Sequence, residues 1–383
     1  MFEEMKDGLE NAMHTHGVAF ASFGVTDARA TRMHNHLGNV DDAPLDDDHI
    51  FRIASMTKPV VSVAALQLIA RGDLALDQPM KDILPTLGET QVVRQQGDGL
   101  ALEPLEQDIT LQHLLTHTSG YAYDFHHALI SELVAQGKLS GIASNDESFL
   151  NAPLVFQPGE DWEYGIGIDW VGKIIEAVSG VNLNQYVQEN ILQPLDMHHT
   201  SFSIADLDAA ALVPLALRGD DGAMSDITEL MPTVTDGPYL GGGGLYSNVG
   251  DYLKFMRMLL QGGQGPNGQI LPDHMVASMF TNQIGDLQVK HMPSFNPMLA
   301  EGHGWFPGTS MKWGYGLMLN ETDIAGRRSA GSGAWSGLYN TFFFIDRARD
   351  IAGVSMTQML PVYNQAALDV FDTFEQSVFS ACS

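Results

Sequence analysis

The hydrophobic pattern predicts strands near both ends of the chain and helices between them. A helix over residues 3–16 precedes strand-like runs at 17–23 and about 30–36, with a turn at Thr26-Asp27. Towards the other end, the pattern predicts three further strands and a final helix, at 326–332, 339–346, 351–358 and about 363–379. Strands drawn from both ends predict one central antiparallel sheet with flanking helices, an α/β (α+β) fold.

The most hydrophobic helix follows the segment Phe51-Arg52-Ile53-Ala54-Ser55. Apolar residues cover almost every side of it between residues 60 and 69, and a helix that is apolar all round is normally buried. Pro59 is tolerated in its first turn, and Gly72 ends it. The pattern therefore predicts a helix through the core, with Ser55 and Lys58 at its start.

The middle of the chain, residues 73–235, is helical and rich in loops. A loop ending at Tyr164 runs into an apolar helix that stops near Gly180, and another helix is expected at about 182–193. The glycine run at 241–244 lacks the Lys-Ser/Thr of a phosphate loop and favours a close-packed turn before a helix at 249–261. We expect a single catalytic unit over residues 1–383, with an α/β part from 1–72 and 236–383 and the helical part inserted.

Composition excludes several classes of function. The chain has 383 residues, 44% of them hydrophobic, and a formal net charge of −28. Nucleic acids and anionic membranes attract positive charge, so neither is an expected partner. The acidic start resembles no secretory signal and favours a cytoplasmic location, and a single cysteine, Cys382, rules out an intrachain disulfide.

Ser55 and Lys58 are a candidate nucleophile and base. At i and i+3 on a helix, both side chains lie on the same face. A serine hydroxyl needs a neighbouring base, and burial lowers the pKa of a lysine enough for it to serve as one. The alternative is a serine that caps the helix with a solvated lysine one turn later.

Metal binding is not expected. His113 and His117 have a spacing that would suit a metal ion, but no glutamate lies between them as in zinc proteases, and no third ligand is evident. The histidine pairs at 126–127 and 198–199 are not expected to bind metal either. The acidic run 41–48 lacks the glycine and terminal glutamate of an EF-hand loop. We predict a solvated acidic turn there.

With Ser55-Met56-Thr57-Lys58, Tyr164 and Gly331-Ser332-Gly333-Ala334 in this order, the chain resembles the serine β-lactamase and penicillin-binding-protein superfamily. Within it, the chain is most similar to the class C-like branch that includes family VIII carboxylesterases and acyltransferases. The resemblance spans nearly the whole length and implies a β-lactamase/transpeptidase-like fold with no cofactor.

Two positions depart from the β-lactamase pattern. Ile166 stands where a class C enzyme has the asparagine of Tyr-x-Asn, and Gly331 replaces the lysine of Lys-Thr-Gly. Both polar anchors for a β-lactam are therefore missing. The resemblance thus favours an esterase or acyltransferase over a β-lactamase or D-amino peptidase.

The resemblance implies a serine carboxylesterase for small to medium esters, with Ser55, Lys58 and Tyr164 as catalytic residues. It implies an oxyanion hole at the backbone N–H groups of Ser55 and Ala334. The expected substrate-binding residues are Ser332, Gly333, Trp335, Ile166 and Trp170. The alternatives are an acyltransferase, an amidase or a non-catalytic binding protein. The expected partner is a small ester, and the sequence leaves the oligomeric state, monomer or homodimer, open.

Overall fold

The central sheet is antiparallel and is assembled from both ends of the chain. The computed structural model describes residues 2–40, 42–97, 99–144 and 146–381. The strands in the described residues are β1 (Phe20–Thr26), β2 (Thr31–Val40), β3 (Ala43–Pro44), β4 (Phe51–Arg52), β5 (Gln91–Gln96), β6 (Gly99–Pro104), β7 (Ala216–Arg218), β8 (Met224–Asp226), β9 (Tyr246–Ser247), β10 (Gln264–Gly265), β11 (Gly268–Gln269), β12 (Met311–Trp313), β13 (Met318–Asn320), β14 (Gly333–Gly337), β15 (Thr341–Asp346), β16 (Ile351–Met356) and β17 (Met359–Leu360). Eight of them form the central sheet, in the order β12-β13-β14-β15-β16-β1-β2-β3.

Helices cover both faces of this sheet. They are α1 (Phe2–His16), α2 (Thr57–Arg71), α3 (Leu111–Leu115), α4 (Ala128–Ala135), α5 (Gly167–Ser179), α6 (Leu183–Val187), α7 (Val249–Leu260), α8 (Asp273–Met279) and α9 (Gln365–Ala381). Neighbouring residues of a strand face opposite sides. On β1, Phe23 packs against Phe374 of α9, whereas Gly24 lies under Val249 and Leu253 of α7. The sheet is thus a central layer between helices, as the sequence predicted.

Helix α2 lies in the core. Its residues from Thr57 to Leu68 are all buried, which confirms the prediction drawn from its all-round apolar surface. Gly72 ends it in a left-handed conformation with φ 82°. Ser55 precedes the α-helix in a 3-10 turn, Ala54–Met56, so that it enters the site from a tighter turn than predicted.

Three predicted elements were wrong in detail. Residues 326–332 are a turn. Carboxylates take two of its backbone N–H groups, since Asp346 accepts from Ser329 and Asp323 from Ala330, and within the described residues only the Gly331 N–H donates to a neighbouring strand, at the Asn320 carbonyl. The helix expected at 182–193 is α6 followed by a π-helical segment, Gln188–Leu192. The helical middle also contains two hairpins, β5–β6 and β7–β8. No helix in the described residues has the length and hydropathy needed to cross a membrane.

Candidate active site

Ser55 is presented by a strained turn at the start of α2. Ala54 has φ 43°, a left-handed conformation that costs free energy for any residue other than glycine. The turn is held from several directions: Thr57 Oγ1 accepts a hydrogen bond from the backbone of Leu245 at 3.0 Å, and the Tyr252 hydroxyl donates to the Met56 carbonyl at 3.0 Å. These contacts fix the serine hydroxyl at the floor of a cavity of about 1200 Å³, a volume that includes its open mouth.

Lys58 lies directly beneath Ser55 and is completely buried. Its Nζ atom donates to Ser55 Oγ at 3.0 Å, to the Tyr123 hydroxyl at 3.0 Å and to the Gly242 carbonyl at 2.6 Å. Burial lowers the pKa of Lys58 from 10.5 to about 7, although the charge of Asp169 counteracts part of this effect. A large fraction of Lys58 is therefore neutral near pH 7 and able to accept a proton.

Asp169 is also buried and contacts Gly242 and Tyr123, the two residues that accept hydrogen bonds from Lys58 besides Ser55. Its Oδ1 accepts the Gly242 N–H at 2.8 Å, and its Oδ2 faces the Tyr123 hydroxyl at 3.4 Å. Burial raises the pKa of Asp169, and the proximity of Lys58 opposes that rise. A Cβ on residue 242 would lie 2.2 Å from this carboxylate, which explains why a glycine occupies this point of the 241–244 turn.

Tyr164 lines the cavity beside Ser55. Its hydroxyl accepts a hydrogen bond from the indole N–H of Trp335 at 3.0 Å, and its ring lies 4.8 Å from Lys58 Nζ. Burial raises the pKa of Tyr164 above its usual range, while its interaction with the Ser55 hydroxyl offsets part of the rise. Tyr164 is thus a neutral phenol near pH 7, positioned to donate or relay a proton.

The structure brings Ser55, Lys58 and Tyr164 together but places several predicted binding residues elsewhere. Ile166 is buried behind the cavity, and Trp170 stacks on Tyr121 at the edge of a different pocket, next to β5. Trp335 contacts Tyr164 rather than the cavity. Trp170 follows Asp169 on α5, but only Asp169 lines the cavity, because consecutive side chains leave a helix in different directions.

The expected contribution of Ser332, Gly333 and Ala334 also requires correction. Ala334 pairs on one side with Met318 and on the other with Phe344, so it belongs to the interior of the sheet. Strand β14 reaches the turn of Ser55 only at its end, where a Cβ on Gly337 would lie 2.2 Å from the Ile53 carbonyl oxygen. The segment that lines the cavity is therefore Ser336-Gly337-Leu338-Tyr339.

Sequence reasoning missed Tyr123, Asp169 and Arg52. The backbone N–H of Tyr123 donates to the Tyr164 carbonyl at 3.2 Å, which ties the two loops together. Asp169 stands five residues after Tyr164 in a run that is otherwise apolar, and this isolated acid was the available signal. No comparable signal in the sequence marks Arg52 as a cavity residue.

Arg52 is a buried cation in the cavity wall. Its guanidinium donates to the carbonyl oxygens of Val213 and Met231, at 3.4 and 3.3 Å. In the described part of the chain no carboxylate pairs with it. The rest of the lining is predominantly apolar, including Phe125 and Leu230. No three metal-ligating side chains converge on this cavity among the described residues.

Comparison with known proteins decides the family. The sequence matches the β-lactamase family over residues 6–369. The chain belongs to this family. Its members of similar sequence include acyl-transfer enzymes and an esterase, and it is accordingly an enzyme of the serine-hydrolase type.

Two curated relatives and one solved structure illustrate the similarity. Monacolin J acid methylbutanoyltransferase of Aspergillus terreus is 30% identical over 349 residues, which cover 88% of this chain and 83% of the relative. Lovastatin esterase of Penicillium rubens is 30% identical over 355 residues, covering 88% and 86%. Unliganded simvastatin synthase of Aspergillus terreus superposes with a TM-score of 0.84 at 27% identity, covering 99% of this chain and 98% of that structure. The fold is therefore β-lactamase/transpeptidase-like.

Proposed function

We propose that this protein is a serine acyltransferase that moves a small acyl group from an ester to an alcohol through an acyl-enzyme on Ser55. The observation that carries the proposal is the 3.0 Å contact between Ser55 Oγ and a buried Lys58 whose pKa is about 7. A serine in contact with a neutral amine is an activated nucleophile. The same acyl-enzyme yields hydrolysis when water takes the place of the alcohol.

The first half-reaction acylates the serine. Ser55 Oγ attacks the ester carbonyl carbon as its proton passes to Lys58 Nζ, which gives a tetrahedral intermediate. The C–O bond to the leaving alcohol then breaks, and the alcohol takes a proton from the Tyr164 hydroxyl, which Lys58 reprotonates. Lys58 and Tyr164 titrate as a coupled pair, so the proton belongs to the pair as a whole.

The second half-reaction runs in reverse. An acceptor alcohol enters the place of the leaving group and loses its proton to the Tyr164–Lys58 pair while its oxygen attacks the acyl carbon. Collapse of the intermediate breaks the bond to Ser55 Oγ, which recovers its proton. The Tyr123 hydroxyl and the Gly242 carbonyl accept hydrogen bonds from Lys58 Nζ and hold it beside Ser55, and Asp169 in turn accepts the Gly242 N–H.

The oxyanion is assigned to the backbone N–H groups of Ser55 and Leu338. Leu338 directly follows β14, and both residues line the cavity, which supports it in place of Ala334. Donors aimed at the developing oxyanion lower the barrier by roughly 3–4 kcal/mol each. Gly337 permits the close approach of this segment to the turn of Ser55.

The acceptor that fits the cavity is a bulky, mostly apolar alcohol that carries a carboxylate. The apolar wall suits the body of such a molecule, and Arg52 offers a charged donor that no carboxylate of the described protein occupies. A buried cation without a charged partner is costly, and an anionic ligand offsets that cost. The name of one relative, monacolin J acid methylbutanoyltransferase, indicates an acid and a short branched acyl group.

A carboxylesterase is the second candidate. The similarity to lovastatin esterase, at the same identity, favours it, and the open cavity admits water. A β-lactamase or D-amino peptidase is disfavoured for two reasons. Ile166 stands where a class C enzyme has an asparagine, and neither Gly331 nor Trp335, which precedes the segment that lines the cavity, supplies the lysine of Lys-Thr-Gly. An amidase would use the same half-reactions on a less reactive carbonyl.

The test is product analysis in the presence and absence of an acceptor. Purified enzyme is given p-nitrophenyl esters of increasing acyl length, alone or with a hydroxy acid of rigid ring structure, and nitrocefin is tested in parallel. A transferase forms the new ester, whereas an esterase releases only free acid whether or not the acceptor is added. Ser55→Ala is the inactive variant, and Ser62→Ala, a buried serine on the same helix, is the matched control.

A further inference from the structure

Three potential metal ligands lie together on the face of the sheet that α7 covers. His34 and His36 are two residues apart on β2, so their side chains point to the same face. Asp47 joins them from the turn that precedes β4. Its Oδ1 lies 3.1 Å from His34 Nδ1 and 2.9 Å from His36 Nε2, and the three ligand atoms lie within 4.8 Å of one another.

Two neighbouring groups hold the His36 ring and the Asp47 backbone in place. Ser22, fully buried on β1 directly opposite His36, places its hydroxyl 2.8 Å from His36 Nδ1, so that Nε2 is the nitrogen directed at Asp47. Asn248, the N-cap residue of α7, donates to the Asp47 carbonyl at 2.7 Å. A hydrogen bond to the second ring nitrogen is a usual feature of histidines that bind metals.

We propose that His34, His36 and Asp47 form a binding site for a divalent transition-metal ion such as Zn²⁺. Two imidazole nitrogens and one carboxylate oxygen are a borderline donor set that suits zinc, copper, nickel or cobalt, whereas calcium and magnesium prefer oxygen ligands alone. The nitrogens that bind the ion must carry no proton, so metal binding competes with protonation. Water completes the coordination, since the described residues offer three ligands.

The geometry needs only a small adjustment to reach metal–ligand distances of about 2.0–2.2 Å. Asp47 can supply it, because its side chain is 74% exposed on a turn, whereas both histidines are held on the strand. A bound ion would fasten residues 46–49 to the sheet. This turn leads directly into β4 and then to Ser55, so the ion would stabilise the segment that carries the nucleophile.

Isothermal titration of metal-free protein with ZnCl₂ tests the proposal. The expected result is saturable binding of one ion per chain at this site, lost or weakened at least tenfold in His34→Ala and His36→Ala. Asp47→Asn, in which the changed side chain is 74% exposed, should weaken binding in the same way. His14→Ala, an exposed histidine on α1, is the matched control and should bind normally.

Two further readouts distinguish a built site from general affinity of surface histidines. Co²⁺ should give the intense visible absorption of a four-coordinate ion with the wild-type protein, and Ser22→Ala should weaken binding by about tenfold, because it removes only the orienting hydrogen bond. Zn²⁺ should also raise the Tm of the wild-type protein but not of Asp47→Asn. No saturable binding, or binding that persists in His34→Ala and His36→Ala, would overturn the proposal.

Discussion

Asp169 and Lys58 are joined through Gly242, whose N–H donates to Asp169 Oδ1 at 2.8 Å and whose carbonyl accepts from Lys58 Nζ at 2.6 Å. Both side chains are buried, and each opposes the effect of burial on the pKa of the other. Burial alone would leave Lys58 neutral at a much lower pH, and the charge of Asp169 raises its pKa towards 7. The pair thus sets the pH at which Ser55 is activated.

The pH dependence of turnover should therefore show an ionisation of Lys58. Because the neutral amine is the base, kcat/KM should rise as pH increases through about 7 and then level off. The measurement is ester hydrolysis over a range of pH at constant ionic strength. The range from about pH 5 to about pH 9 extends roughly two units on either side of that pKa. A rate that stays constant over this range would contradict the role of Lys58 as the base.

Replacing Asp169 with asparagine should move this ionisation to lower pH. The substitution removes the negative charge that favours the ammonium form of Lys58, while the amide oxygen can still accept the Gly242 N–H. The acidic limb of the kcat/KM profile reports the shift. An unchanged or higher apparent pKa would show that Asp169 does not control the lysine; Asp251→Asn, a buried acid on α7 outside the cavity lining, serves as the control.

Trp335 should act by positioning Tyr164. Trp335→Phe keeps an aromatic ring but removes the N–H that donates to the Tyr164 hydroxyl at 3.0 Å. A neutral hydrogen bond contributes about 1 kcal/mol, so kcat should fall about 3- to 10-fold while KM changes little. Trp313→Phe, whose indole lies 4.7 Å from that of Trp335 and donates instead to Leu115, should keep its kcat. Equal losses in the two variants would indicate a packing effect.

Arg52 should determine the preference for an acidic acceptor. Arg52→Gln removes the charge, and the loss of a charge-assisted hydrogen bond predicts an increase of about 10- to 100-fold in KM for a carboxylate-bearing alcohol. The methyl ester of the same alcohol should be used equally well by wild type and variant. If Arg52→Gln raises KM equally for both acceptors, Arg52 does not bind the carboxylate, and its contribution is to hold the backbone at Val213 and Met231 in place.

Gly337 should tolerate no side chain. In Gly337→Ala the new Cβ would meet the Ile53 carbonyl oxygen at 2.2 Å, and both partners belong to backbone that shapes the site. We expect a loss of about 1–3 kcal/mol in the free energy of unfolding and a clear fall in kcat/KM. Gly333→Ala, earlier on the same strand, would meet only side-chain atoms of Phe280 and Leu317 and should retain normal kinetics. Parallel urea unfolding and ester assays measure both effects.

The sequence predicted helices, strands and the Ser55–Lys58 contact well where they depend on residues close together in the chain. The apolar surface of α2, the stop at Gly72 and the Ser-x-x-Lys spacing sufficed to place Ser55 beside Lys58, because these depend on neighbours in sequence. The antiparallel sheet was also predictable from alternating runs at both ends.

Contacts between distant segments were less accessible to sequence reasoning. The end of β14 that meets the Ser55 turn depends on the register with β13 and β15, so the oxyanion donor was expected at Ala334, four residues before Leu338, which lines the cavity. Tyr123 and Asp169 come together only because the loop of Tyr123 and the start of α5 converge on Gly242. Trp170 was misplaced because the direction in which α5 leaves the site is set by its packing against α2 and α3.

The most direct test of the account is mass spectrometry of the enzyme quenched during turnover of a p-nitrophenyl ester. We predict a mass increase equal to one acyl group, located on the peptide that contains Ser55 and absent from Ser55→Ala. Ser62→Ala should show the same adduct as the wild type. Acyl transfer by Ser55→Ala, or an adduct on a different residue, would contradict the assignment of Ser55 as the nucleophile.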